Sequence, residues 1–174
     1  ELATLCKAHN CISNKLTCVT DIAAKSAPDG YTWVFCLPAS MSINPTIYKK
    51  LPYNPTRDFA PVIQLNTIAM LVAVTNSLPV KSVDDLISLA KAKPGQLNFA
   101  SSGTGSSGHL AIELLNALTG TKMVHIAYKG GAPALTDLIS GQVQIMAGPL
   151  IGAIQHVKAG RIRALAVKIG RAHV

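Results

Sequence analysis

The sequence predicts an α/β chain in which strands and helices alternate as βαβ units around a largely parallel sheet. Three observations carry this. From Pro61 onward, short β-rich runs alternate with amphipathic helical runs. Glycine or a Pro-Gly pair closes each helical run, where a helix needs its C-terminal stop. Three successive strands also run into glycine-bearing loops, the arrangement that lines the binding edge of an open α/β sheet. With 49% hydrophobic and 14% charged residues, the 174-residue chain has enough apolar surface to bury a sizeable core.

The elements follow in order. Val62 to Val74 is β-rich and closes at Asn76-Ser77-Leu78-Pro79. Ser82 and Asp85 have capping-box spacing, and Val83, Leu86, Ile87 and Ala90 share one helical face until Pro94-Gly95. A strand over Leu97–Ala100 leads into the loop Ser101–Gly108. The helix after it is expected to bury Leu110, Ala111, Leu114, Leu115 and Leu118, and to stop at Gly120. Met123–Tyr128 is a strand, and Pro133 sits where a first helical residue belongs, in a helix ending near Gly141. Val143–Ala147, Ile151–Ala159 and Ile162–Val167 complete the series as strand, helix and strand. Residues 1–60 read differently: a helix ending near Ser26, a turn at Pro28-Asp29-Gly30, an apolar strand over Tyr31–Leu37, then a loop rich in Pro, Asn and Tyr.

Charge and cysteine content exclude several functions. The formal net charge is +8, with Lys158, Arg161, Arg163, Lys168 and Arg171 in a closing stretch that has no acid after Asp137. No aromatic interleaves with that cluster as a base-stacking platform requires, so nucleic acid is not an expected partner, and a basic surface that attracts anionic solutes is. Cys6, Cys11, Cys18 and Cys36, with His9, do not have the paired spacing of a structural zinc site. No metal is expected, and the cysteines read as small apolar residues with room for one disulfide. No apolar run approaches the roughly 18 residues of a membrane span. Glu1–Asn10 shows no secretory signal.

Gly103-Thr104-Gly105-Ser106-Ser107-Gly108 spells G-x-G-x-x-G between a strand and a helix, the context of a dinucleotide fingerprint. A dinucleotide-binding oxidoreductase is therefore the alternative reading. However, the acid expected about 20 residues on is missing, because the next strand ends in Tyr128-Lys129. The loop instead collects hydroxyls, with Ser101, Ser102, Thr104, Ser106 and Ser107 beside its glycines. Free N–H groups at a helix start, with serine hydroxyls alongside, suit a carboxylate as well as a phosphate. Lys129-Gly130-Gly131-Ala132-Pro133 repeats the design, so Tyr128 and the amides of Gly130, Gly131 and Ala132 should face the first loop. Gly148 and Pro149 would complete the rim. His109 reads as a helix-start packing residue, His125 as a satisfied core histidine, and Glu113 and Asp137 as solvated. No nucleophile elbow or acidic pair stands near these loops, so no catalysis and no cofactor are expected.

These loops also carry a family resemblance. Ala27-Pro28-Asp29-Gly30-Tyr31-Thr32, Ile43-Asn44-Pro45, Tyr48-Lys49-Lys50-Leu51-Pro52-Tyr53 and Arg57-Asp58-Phe59 resemble first-lobe landmarks of the Bordetella uptake (Bug) receptors. These are the substrate-binding components of tripartite tricarboxylate transporters. Ala92-Lys93-Pro94-Gly95, Phe99 to His109, Ala127 to Ala134, and Lys158-Ala159-Gly160 through Ala164-Leu165-Ala166-Val167 are similar to the second lobe. The match runs in order from about Ala24 to Val167.

The resemblance implies a type II periplasmic binding protein of Venus-flytrap architecture, with one near-complete βαβ lobe and part of another. It divides the chain into a partial first lobe (1–66) and a second ligand-binding lobe (67–168), and the closing Ile169-Gly170-Arg171-Ala172-His173-Val174 reads as a translated sequencing adapter, a non-native tail (169–174). It implies a monomeric periplasmic receptor that delivers a small carboxylate to membrane permease components. Carried across residue by residue, the solute contacts fall on Ser102, Gly103, Thr104, Gly105, Ser106 and Ser107, on Tyr128, Gly130, Gly131 and Ala132, and near Gly148. The first-lobe share falls on Ala39 to Ser42, with Ser40 at its centre. The sequence departs from the family before Ala24, where expected glycines are absent, and at Gly148, where many relatives carry a polar side chain. An incomplete reading frame is the expectation.

Overall fold

The computed structural model describes residues 15–168. Cys6, Cys11 and the tail at 169–174 lie outside the described residues. The chain divides into two compact units, with the boundary between Ile63 and Gln64.

The first unit contains helix α1 (Lys15–Ala24), a π-helical turn (Ala39–Ile43) and a single helical turn, α2 (Asn44–Ile47). It is held by polar contacts as much as by apolar ones. The buried Tyr53 hydroxyl donates to the Ser40 carbonyl at 2.8 Å, and its ring meets Phe59 edge-on at 6.0 Å. Cys18 is buried and disulfide-bonded, and Cys36 is a free thiol that burial pushes above its ordinary pKa. The strand expected over Tyr31–Leu37 does not form. The segment alternates as a strand does, but no other described segment pairs with it, and Tyr31, Trp33 and Phe35 are 88%, 72% and 62% exposed. A strand exists only through its ladder, and an apolar alternating run cannot supply a partner by itself.

The second unit carries the alternation: β1 (Met70–Thr75), α3 (Val83–Ala92), β2 (Asn98–Ser101), α4 (Ser107–Thr119), β3 (Val124–Ala127), α5 (Gly131–Ser140), β4 (Ile145–Pro149), α6 (Leu150–Lys158) and β5 (Ile162–Lys168). The sheet order is β3-β2-β4-β1-β5. β2 pairs in parallel with β3 and β4, whereas β1 is antiparallel to both β4 and β5. The sheet is thus mixed, with β1 as the reversed strand. Of the β-rich run at Val62–Val74, only the part from Met70 enters the ladder. Val62, Ile63 and Leu65 stay exposed.

Alternation along the strands loads both faces. Val74, Phe99, Ile145 and Ala147 pack with Leu86 and Ala90 of α3 and Ile112 of α4. Leu71, Ala73, Ala100, Met146 and Ile162 pack with Ala134 and Leu138 of α5 and Ala153 of α6. The two caps anticipated from the sequence form. Ser82 Oγ accepts from the Asp85 amide at 3.1 Å while Asp85 accepts from the Ser82 amide, and Gly120 ends α4 with φ +68°. On β5, Arg163 donates to the carbonyls of Val80 (2.7 Å) and Leu78 (3.3 Å), pinning the β1–α3 connection.

Helix α4 is rotated from the expected stripe. It buries Gly108, Ile112 and Asn116, while Leu110, Leu114 and Leu118 are exposed. The cause is Gly108, where a β-carbon would stand 2.0 Å from the Ala147 carbonyl oxygen. The helix can approach β4 only along the line that starts at this glycine. Asn116, one turn below Ile112, then reaches the turn before β3. Its oxygen accepts from the Met123 amide and the Thr121 hydroxyl, and its nitrogen donates to the Met123 carbonyl. A Gly108→Ala substitution should force α4 off the sheet. The expected loss is about 3 kcal/mol, the upper part of the range for overpacking, seen as a lower midpoint in urea unfolding. An unchanged midpoint would mean that the close approach is absent.

Candidate functional site

Because β2, β3 and β4 run in the same direction, the loops after them emerge at one edge of the sheet, with the β2 loop in the middle. The antiparallel β1 starts at this edge, where Leu150 donates to the Ala69 carbonyl at 2.9 Å. The first two loops touch. The Tyr128 amide donates to the Ser101 carbonyl at 3.1 Å, and a β-carbon on Gly103 would stand 3.5 Å from the Tyr128 carbonyl.

The β2 loop separates its hydrogen-bonding groups into two sets. One set is turned inward. The Gly103 amide donates to Ser101 Oγ (3.2 Å), the Ser106 amide to the Gly103 carbonyl (3.1 Å), and the Gly105 amide to His109 Nδ1 (3.1 Å). Ser106 caps α4 by accepting from the His109 amide at 3.3 Å. Gly103 at φ +140° and Gly105 at φ +77° make the turns these contacts need. The other set is left over. The amides of Thr104, Ser107 and Gly108, and the hydroxyls of Ser102, Thr104 and Ser107, have no acceptor or donor partner among the described residues. Four N–H groups at any helix start have no intrahelical acceptor, and here the start of α4 carries two of these open amides beside exposed hydroxyls.

The second loop adds a similar terminus. Gly130, at φ +129°, precedes α5 and supplies no side-chain cap, leaving the Gly131 and Ala132 amides open before Pro133. Lys129 stands exposed on the same loop. Gly148 is not in a loop as expected but inside β4, paired with Leu71 and buried. Ser40 belongs to the first unit and is 2% exposed. The structure therefore gathers Ser102–Ser107 with Tyr128–Ala132 at one sheet edge. Within that group, Gly103, Gly105 and Ser106 are the scaffold of the loop, and Thr104 and Ser107 are its open positions.

One carboxylate, Asp137, is more engaged than the sequence suggests. Asp137 accepts from the Tyr128 hydroxyl at 2.6 Å, tying α5 to the end of β3. That hydrogen bond, helped by burial and the carboxylate charge, pushes the tyrosine up to about 12. Glu113 lies 3.8 Å from His109 Nε2. The fit of Tyr128 to Asp137 was hidden because the two are nine residues apart on different elements. Among the described residues no group of three or more His, Cys, Asp or Glu could hold a metal ion, and no helix is long and apolar enough to cross a membrane.

Amides without partners at two helix starts on one sheet edge have the chemistry that suits an anion. Residues 9–172 match the tripartite tricarboxylate transporter family receptor. The chain belongs to this family. Among curated relatives, it is 34% identical to the protein BugT of Bordetella pertussis over 149 residues, 85% of this chain and 46% of BugT. It is also 34% identical over 148 residues to a UPF0065 protein from the tcbD-tcbE intergenic region of a Pseudomonas strain, covering 85% of this chain and 44% of that one. The receptor chain spans about half the length of these relatives.

Solved structures agree. Rpa4515 of R. palustris with adipate superposes with a TM-score of 0.82 at 39% identity, over 89% of this chain and 52% of that one. MatC of Rhodopseudomonas palustris with bound malate gives 0.76 at 28% identity, over 87% and 51%. The periplasmic binding protein BugD gives 0.73 at 28%, over 87% and 50%. The α/β periplasmic-binding-protein fold and the Bug resemblance read from the sequence therefore stand. The oxidoreductase alternative gives way to a receptor family, and the third glycine of its motif is the one that packs α4 on β4.

In a spectrophotometric titration of the four tyrosines, Tyr128 should ionise last, near 12. Asp137→Asn should return it toward the ordinary value of about 10. Because the folded value is raised, the stability this pair contributes is intact below about pH 10 and is lost as pH climbs toward 12. Tyrosines that all titrate together in the native protein would exclude the Tyr128–Asp137 bond.

Proposed function

We propose that this chain is the solute-binding part of a periplasmic receptor that captures a small carboxylate and delivers it to the membrane components of a tripartite tricarboxylate-type transporter. It acts as a monomer and catalyses no reaction. The observation that carries this reading is the set of unpaired amides at Thr104, Ser107, Gly131 and Ala132, drawn from the β2 loop and two helix starts on one sheet edge. N–H groups fixed by a scaffold, with positive helix ends behind them, bind a carboxylate without placing a counter-charge in the protein. Lys129 and the net charge of +8 favour the approach of anions. Family membership supports the same reading, as do adipate in Rpa4515 and malate in MatC. The disulfide at Cys18 is suited to an oxidising compartment.

In this proposal Ser102, Thr104 and Ser107 hold one carboxylate through amides and hydroxyls, with Gly131 and Ala132 opposite. Gly103, Gly105 and Ser106 keep the loop in shape. Ser40 of the first unit, like the first and second lobe limits at 1–66 and 67–168, rests on the family resemblance.

The test is a thermal-shift and calorimetric screen against dicarboxylates including malate and adipate, their amides, and NAD. A concentration-dependent rise in melting temperature with an acid and not its amide is the expected result. A rise with NAD alone would replace the proposal. Ser107→Pro probes the amides directly. Ser107 is the first residue of α4, and Ser106 has φ −71° and ψ 157°, a conformation that tolerates a following proline. The variant should keep its stability and lose the Ser107 N–H together with its hydroxyl, and Ser107→Ala, which lacks the hydroxyl alone, isolates the amide. Binding should weaken about 10- to 100-fold, the worth of a hydrogen bond to a charged group at roughly 1.5–3 kcal/mol. Unchanged affinity would remove the Ser107 amide from the site.

A further inference from the structure

Beneath the open amides lies a pair of histidines that solute capture does not by itself require. His109 on α4 and His125 on β3 stack at 3.9 Å between ring centroids, and both lie against the buried Phe99 ring, at 6.3 and 4.9 Å. Each is bonded to the β2 loop: His125 Nε2 is 2.7 Å from Ser101 Oγ, and His109 Nδ1 accepts from the Gly105 amide.

The hydrogen-bond chemistry fixes one protonation state. A backbone N–H can only donate, so His109 Nδ1 must carry a lone pair, and the imidazole is neutral with its proton on Nε2. Ser101 Oγ donates to the Gly103 carbonyl at 3.0 Å and accepts from the Gly103 amide. The hydroxyl can turn between the Gly103 carbonyl and His125 Nε2, so the serine–histidine contact can run in either direction. The two histidines differ accordingly. A second proton on His125 leaves a donor facing Ser101 Oγ, which can accept it. A second proton on His109 sets two donors, Nδ1–H and Gly105 N–H, against each other.

We propose that His109, seated on His125, is a positioning residue that holds the β2 loop in its binding shape only while neutral, so that the receptor releases its solute on acidification. This rests on the receptor reading above. Among the described residues, the groups facing the pair are few. Glu113 on α4 stands 3.8 Å from His109 Nε2 and its side chain is 45% exposed. Phe99 and Ser101 from β2, and Ala147 where β4 meets α4, bring no charge. His125 is held below the ordinary histidine range by burial and then by the nearby His109, against the opposing pull of Glu113. The pair therefore resists carrying two charges, and the proton that arrives on His109 disrupts Gly105.

The experiment compares the wild type with His109→Asn and His109→Ala. The amide oxygen of Asn can take the place of Nδ1 as acceptor and does not titrate in this range. Malate affinity is measured by calorimetry from pH 8 to pH 5.5, while the Gly105 amide is followed by NMR with and without malate. Because a histidine can gain a charge over this interval and an asparagine cannot, wild-type affinity should fall severalfold more than that of His109→Asn. The difference removes the ionisation of malate itself. At pH 8, His109→Asn should bind within about threefold of wild type, and His109→Ala about tenfold more weakly, as expected for a lost acceptor.

Equal pH slopes in wild type and His109→Asn, or tighter wild-type binding at low pH, would overturn the proposal. The NMR arm separates its failure from that of the receptor reading. If malate does not bind at any pH, the Gly105 amide without solute must still titrate in wild type and not in His109→Asn. A Gly105 amide that ignores pH sinks the histidine device whatever malate does.

Discussion

At Gly108 a helix and a strand meet backbone to backbone, because the Ala147 carbonyl occupies the space that any side chain would need. This contact sets the rotation of α4, and most of the loop edge follows from it. With Gly108 against β4, Ile112 enters the core and Asn116 reaches the turn before β3, where it fastens Thr121 and Met123. The residue after Gly108 is then carried inward to Phe99 and His125, and the residue before it outward to solvent. One excluded atom thus decides which side of the helix start supports the loop and which side offers donors.

That division explains how a loop of small residues can be rigid enough to bind. Glycines alone would leave the segment mobile, and fixing it on binding would weaken affinity. Ser101, Ser106 and His109 instead satisfy the inward groups before any solute arrives. The outward amides are what remains. Under the proposed function, such a site would read a carboxylate group and carry little information about the rest of the molecule.

Much of the fold was legible because its signals are local. The Ser82–Asp85 box, Gly120 and Gly141 act within one helical turn, and each forms as the sequence suggests. The glycine-bearing loops after β2 and β3 were equally visible, and the likeness to Bug receptors sharpened them, whereas the third, at Gly148, proved to be strand. What escaped was set at a distance. Side-chain alternation is the same for a strand read in either direction, so the reversal of β1 left no mark. Hydrophobicity favoured Leu110, Leu114 and Leu118 as the buried stripe, whereas contact with β4 chose a glycine, an isoleucine and an asparagine. Tyr31–Leu37 has the composition of a strand without a partner to pair with. The His109–His125 stack joins residues from two elements. Only the prior placement of α4 on the sheet could have revealed it.

The reversed strand also has a consequence for how the chain is made. β1 is translated first among the five strands, yet it lies between β4 and β5, with Val74 opposite both Ile145 and Arg163. Until the ribosome has delivered residues past Lys168, at least one long side of this apolar strand has nothing to bond. Such distant pairings close slowly, and an unpaired strand invites association with other nascent chains. The β2–β3 pairing, which joins strands separated only by α4, needs nothing from β1. Assembly of the second unit is therefore ordered from its middle outward, with the oldest strand the last to find its place.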